Sequence, residues 1–183
     1  MTGWDLPQSI EIGGKQWEIH ADFRDILDII QRLSAKTSEA LYVCLALFYE
    51  DFEDLPEKCF NEAVEKMFLF IACGEEEESS PRPKTIDWEQ DWQMIISDVN
   101  KVAGCEIRAL PFCHWWTFIS WFNGIGDGPL ATVVSIREKK RKGKKLEDWE
   151  KEFYKNNRSK VDFKTEYSSS DNEQLSKWLG GGK

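Results

Sequence analysis

Two histidines, His20 and His114, and five cysteines are the residues best suited to move protons, attack a substrate or bind a metal. Nucleophilic catalysis needs a base beside the nucleophile. His114 follows Cys113 in sequence, but adjacent residues on a helix point to different sides. No Gly-x-Ser-x-Gly elbow, Walker-type loop or Gly-x-Gly-x-x-Gly run occurs. Gly124, Gly126 and Gly128 fall between two expected helices, where helix ends and a turn require glycine. Cys105, Cys113 and His114 are three potential metal ligands, yet structural zinc usually takes closely paired cysteines. Here no two cysteines lie closer than eight residues, and buried free thiols serve as small apolar fillers. The run Glu75–Glu78 lacks the fixed geometry of a calcium loop. The expectation is a non-enzymatic chain with no catalytic, cofactor-binding or metal-ligating residue.

Binding is what remains, and aromatic side chains are its best candidates. The chain holds nine Trp and eleven Phe, and the densest cluster lies in Pro111–Phe122. Trp115, Phe118, Ile119 and Phe122 share one helical face, which reads as core. Trp116 lies to one side of that face. With Trp121 it is a candidate anchor, because Trp is enriched among binding hot spots. The basic run 137–145 adds Lys139, Lys140 and Arg141 as candidate contacts to an acidic partner, and Trp178-Leu179 forms a last apolar spot near the C-terminus.

Composition narrows the class of partner. A chain of 183 residues with net charge −9 is long enough for one domain with a core and short for two. It is not built to blanket a phosphate backbone, so no nucleic acid is expected. No apolar stretch reaches the roughly 20 residues that span a bilayer, so no membrane is expected either. The opening MTGWDLPQSIEI lacks the basic-then-apolar layout of a signal peptide, and single, unpaired cysteines suit a reducing cytosol. Charge is uneven: residues 1–106 carry nine basic and 23 acidic side chains, and residues 107–183 carry fifteen basic and ten acidic. Such asymmetry fits electrostatic docking or self-association.

These residues need a scaffold, and periodicity supplies one. Ser9–Ile12 and Lys15–His20 alternate around Gly13-Gly14, which predicts a hairpin with Ile10, Ile12, Trp17 and Ile19 on one face. Phe23, Ile26, Leu27, Ile30 and Leu33 predict a helix capped by Asp22. Leu41, Cys44, Leu45 and Phe48, widened by Val43 and Leu47, predict a deeply buried second helix. A third starts near Pro56 with Phe60, Val64, Met67, Phe68 and Ile71 as its stripe. Residues 75–84 read as a mobile acidic linker. A fourth helix carries Trp88, Trp92, Ile95, Val99 and Val102, and a fifth runs through Pro111–Phe122. A sixth starts at Asp127-Gly128-Pro129, and a seventh holds Leu146, Trp149 and Phe153. The expected architecture is mainly α, with the N-terminal β-hairpin packed on a compact bundle of about six to seven helices. Residues 1–157 form a single domain in this reading, and 158–183 a flexible polar tail.

The order of these elements resembles a known family. The resemblance rests on Ile10-Glu11-Ile12-Gly13-Gly14-Lys15 with Ile19-His20-Ala21-Asp22-Phe23-Arg24, on Leu47-Phe48-Tyr49 before Leu55-Pro56, and on Phe68-Leu69-Phe70 leading to Cys73-Gly74. Its most distinctive part is His114-Trp115-Trp116-Thr117-Phe118, followed by the Arg137 region and Glu152-Phe153-Tyr154. From about Ser9 to Tyr154 the chain looks like the small tail-module protein of Gram-positive siphophages and prophages, encoded just upstream of the tape-measure gene. That resemblance implies a tail assembly chaperone acting in host cytoplasm. Such a protein binds the tape-measure protein, keeps it soluble and helps recruit tail-tube protein, and is absent from the finished virion. The alternative is a structural tail component, a tail completion or tube-associated protein retained in the particle.

Overall fold

A computed structural model describes residues 4–75 and 83–164. They are mainly helical, with a two-stranded antiparallel hairpin at the N-terminus. Strand β1 (Ser9–Ile12) pairs with β2 (Lys15–Glu18), placing Ile10 opposite Trp17. Gly13 and Gly14 make the two-residue turn with φ of 59° and 79°, a conformation that suits residues without a Cβ. Ile10, Ile12, Trp17 and Ile19 are all buried, as their alternation predicts. The Gly13 amide donates to Glu62 Oε2 at 3.2 Å, fastening the turn to a later helix.

The described residues fall into two compact units, divided between Thr132 and Val133. In the first, α1 (Phe23–Leu33) starts at Asp22, whose side chain accepts from the Arg24 amide. It is followed by α2 (Ser38–Phe48), capped by Thr37, and α3 (Phe60–Ile71), entered through a short 3-10 turn after Pro56. Then come α4 (Trp92–Ala103) and α5 (Trp115–Asn123). The core contains Phe48 against Phe70 (ring centroids 5.3 Å apart) and Phe23 stacked on Phe118 at 4.8 Å. Tyr49 is buried, and its hydroxyl donates to the Ala63 carbonyl at 2.9 Å.

Three expected faces differ from the observed ones. On α2, Val43 is exposed beside Tyr42, so that helix buries only Cys44, Leu45 and Phe48. On α3 the buried set is Ala63, Met67 and Phe70, whereas Phe68 stays 46% exposed. Both helices are apolar around most of their circumference, so periodicity alone does not choose the inward face. On α4, Ile95 and Val99 are buried but Trp92 and Val102 are exposed, and Trp88 precedes the helix in a turn with its ring against Phe122 at 5.1 Å.

The sixth helix, α6 (Pro129–Arg141), begins in the first unit. There the buried Asp98 carboxylate accepts from the Leu130 amide at 3.0 Å and from Lys101 Nζ at 2.7 Å. It thus satisfies one of the orphan donors of a helix start from a different helix. In the second unit, α7 (Asp148–Asn156) opens with the Glu147 amide donating to Glu150 Oε2 at 2.9 Å. A short eighth helix, α8 (Arg158–Val161), follows. Here the ordered chain runs past the expected boundary at residue 157: Val161 is buried, and Arg137 donates to the carbonyls of Val161 and Lys160, both at 2.7 Å. One isolated valine in a polar stretch has no periodicity to announce it. Residues 165–183 of the expected tail, and 76–82 of the acidic linker, lie outside the described residues.

Gly128 is where the α6 start admits no side chain. A Cβ there would clash with the Asp98 carboxylate, whereas one at Gly126 would meet nothing within 4 Å. Gly128→Ala should therefore displace the buried carboxylate and cost about 1–3 kcal/mol. Gly126→Ala should stay within about 0.5 kcal/mol of the native chain. Urea midpoints of the two variants measure the difference.

Candidate functional site

The His-Trp-Trp sequence proves to be a structural junction. Asp22 Oδ2 accepts from the Cys113 amide at 2.9 Å, while Asp22 Oδ1 caps α1. Main-chain bonds run from Phe23 N to Cys113 O and from Trp115 N to Ala21 O. Burial pushes the Asp22 carboxyl upward, but the Arg24 guanidinium and the two amides outweigh it and hold its pKa below the ordinary value. The fifth helix consequently starts at Trp115, not at Pro111, because residues 111–113 are held in this extended junction.

His114 is the N-cap of α5. Its Nδ1 accepts from the Trp116 amide at 3.0 Å, and Nε2 donates to the Pro7 carbonyl at 3.0 Å. That pattern requires the neutral ring protonated at Nε2. Both nitrogens are engaged, so neither is poised to take a proton from a nucleophile. Cys113 Sγ lies 3.8 Å from the carbonyl of His114, and burial pushes its thiol up to about 11. The Cys73 thiol is likewise pushed up to about 11, mainly by burial. Neither is a ready thiolate at neutral pH. Among the described residues, no group of three or more His, Cys, Asp or Glu is arranged to hold a metal ion.

The two tryptophans complete the junction. Trp115 Nε1 donates to Ile71 O and Trp116 Nε1 to Phe70 O, each at 2.9 Å. Adjacent indoles thereby donate to adjacent carbonyls at the C-terminus of α3; that of Phe70 also accepts from the Cys73 amide at 2.9 Å, and that of Ile71 lies where intrahelical donors run out. Trp116 is buried, so the exposed anchor expected from its off-face position is instead a helix cap. Trp121 is half-buried. In the second unit, Lys139 Nζ binds Glu150 Oε1 at 2.7 Å, and Lys140 is paired with Asp162 while its ammonium lies 3.8 Å from the centroid of the Tyr154 ring. Arg141 is exposed. The basic candidates are thus divided between internal pairing, for two, and free surface, for one. Trp178 and Leu179 lie outside the described residues.

An open apolar feature of the first unit is one that the sequence pattern assigned to core. A groove of about 680 Å³ runs between α1 and α3, walled by Ile30 and Leu33 on one side and Val64, Phe68 and Leu69 on the other. Glu65 and Glu75 stand among its lining residues, and both are exposed. One signal in the sequence pointed to it: α3 carries two apolar stripes, Ala63-Met67-Phe70 and Val64-Phe68-Ile71, and a single core can take only one. In the second unit, Trp149 is 55% exposed beside Lys145 and Lys151, in a shallow depression of about 540 Å³.

Residues 4–163 match the family described as Bacteriophage Gp15 protein. No curated protein and no solved structure matches the chain.

The cap made by His114 is pH-sensitive. Burial lowers the His114 pKa against the opposing pull of the Pro7 carbonyl, so the folded state resists a proton that the unfolded chain accepts near its ordinary value of about 6.5. Stability should be full above that value and decline as the pH falls through it. Denaturant titrations at about pH 7.5 and about pH 5.5 should show this loss. His114→Asn, which keeps a capping oxygen and does not titrate, should flatten the slope across that interval.

Proposed function

Because the chain belongs to the Bacteriophage Gp15 protein family, which makes it a structural or assembly-related phage protein, we propose that it is a tail assembly chaperone of siphophages. In this role it binds the tape-measure protein in host cytoplasm, keeps it soluble and helps recruit tail-tube subunits, without performing a reaction. The observation that carries the reading is the open apolar groove between α1 and α3 on a chain whose histidine cap and buried thiols are tied into structure. A protein that holds an association-prone client needs exposed apolar surface on a stable, charged body. The net charge of −9 suits such a body, because like-charged copies resist coalescing.

Co-expression with the tape-measure protein of the same phage tests this. The soluble fraction of that protein should rise at least several-fold when the chain is present, and fall back when it is omitted. Mass spectrometry of purified virions should find the chain absent from mature tails. Stoichiometric copies in the particle would instead assign it as a structural tail component, a tail completion or tube-associated protein.

A further inference from the structure

We infer that the α1–α3 groove is the docking site for an amphipathic helix of the client whose apolar stripe is flanked by Lys or Arg. This deepens the client-binding reading above and rests on it. Three features of the groove select such an occupant. Its walls are aliphatic and aromatic, from Ile30, Leu33, Val64, Phe68 and Leu69. Its largest side chain, Phe68, is left 46% exposed on a helix whose Met67 and Phe70 neighbours are fully buried. Its carboxylates, Glu65 and Glu75, form no ion pair among the described residues.

The parts have a common logic. A helix presents anchors at i, i+3 or i+4, and i+7 along one stripe, which is the shape an elongated groove between two helices accepts. Residues beside that stripe come to lie over the rim. Against Glu65 and Glu75 they contribute attraction if cationic and repulsion if acidic, so charge decides orientation and partner while the apolar walls supply affinity. A second copy docking groove to groove would bring the same carboxylates together, which disfavours the chain as its own occupant.

The probes are three synthetic 16-residue helices, labelled for fluorescence anisotropy and titrated with the full chain. The first carries Leu anchors with Lys flanks, the second Leu anchors with Glu flanks, and the third Ala in place of Leu with the same Lys flanks. The Leu/Lys helix should bind at least about ten-fold more tightly than either control. Phe68→Asp should weaken it by a similar factor, and the double variant Glu65→Lys with Glu75→Lys should reverse the preference toward the Leu/Glu helix. Circular dichroism confirms that each variant is folded. The exposed rim substitutions serve as the test should Phe68→Asp not fold. Equal binding of Leu/Lys and Ala/Lys helices would overturn the proposal, as would binding indifferent to the rim reversal. So would sedimentation showing that the groove is filled by a second copy, in wild-type oligomers that Phe68→Asp dissociates. Tape-measure co-expression separates this inference from its premise. If wild type and groove variants solubilise that protein equally, the groove assignment falls and the chaperone reading stands. If wild type fails to solubilise it while the peptide pattern holds, the chaperone reading falls and the groove remains a helix-docking site.

Discussion

The Asp22 carboxylate is the constraint on which the first unit depends. One oxygen caps α1 and the other holds the Cys113 amide, 91 residues away in sequence. Hydrogen bonds to an ionised group contribute roughly 1.5–3 kcal/mol each, and these two fix where both α1 and α5 begin. Arg24 closes the other side of the same group through two guanidinium nitrogens, at 2.7 and 2.8 Å, and also reaches the carbonyls of Leu110 and Pro111. Because the chain is held at 113, His114 can cap α5, and Trp115 and Trp116 can present their indole N–H groups to α3. Remove the carboxylate and each later alignment loses its reference point.

Tryptophan here is valued for its polar edge as much as its area. A helix C-terminus inside a protein leaves carbonyls that must find donors, and glycine-based caps or water are the common solutions. At the end of α3 the Leu69 and Phe70 carbonyls accept from the Gly74 and Cys73 amides at 2.8 and 2.9 Å, and two consecutive indoles add donors to Phe70 and Ile71 while their rings fill the core. Among the described residues no buried side-chain nitrogen or oxygen lacks a partner. The second unit reaches the same end by other means. Arg137 is buried, donates to two carbonyls of the segment containing α8, and stacks 4.1 Å from the Phe163 ring centroid. What looks in sequence like a run of solvated cations is partly internal framework.

The hairpin, the N-cap at Asp22 and the existence of the long helices could all be read from residue order, because each rests on local pattern. Gly13-Gly14 between alternating strands, or Asp22 before an apolar period, needs no knowledge of the rest of the chain. What escaped was decided by tertiary partners. Nothing local says that Phe70 and not Phe68 faces inward, since that choice follows from Phe48 waiting on α2. Nothing local assigns Trp116 an acceptor 46 residues back. The helix that the sequence predicts through Pro111–Cys113 starts later in the structure, at Trp115, because proline and aromatic residues at a helix start look alike whether the chain is coiled or pinned. The same ambiguity hid the groove, whose lining carries the very residues that a core would use.

The Asp22–Cys113 link also imposes an order of events during synthesis. At elongation rates of roughly 5–20 residues per second, a ribosome needs about 5–20 s to travel from one partner to the other. During that interval the segments of the hairpin and the first three helices lack the amide that Asp22 holds and the indoles that donate to the end of α3. Helices of eleven or twelve residues are marginal alone, so the nascent chain waits with its keystone missing. Completion comes as a single late closure, when residues 113–116 clear the exit tunnel and lock elements made many seconds before.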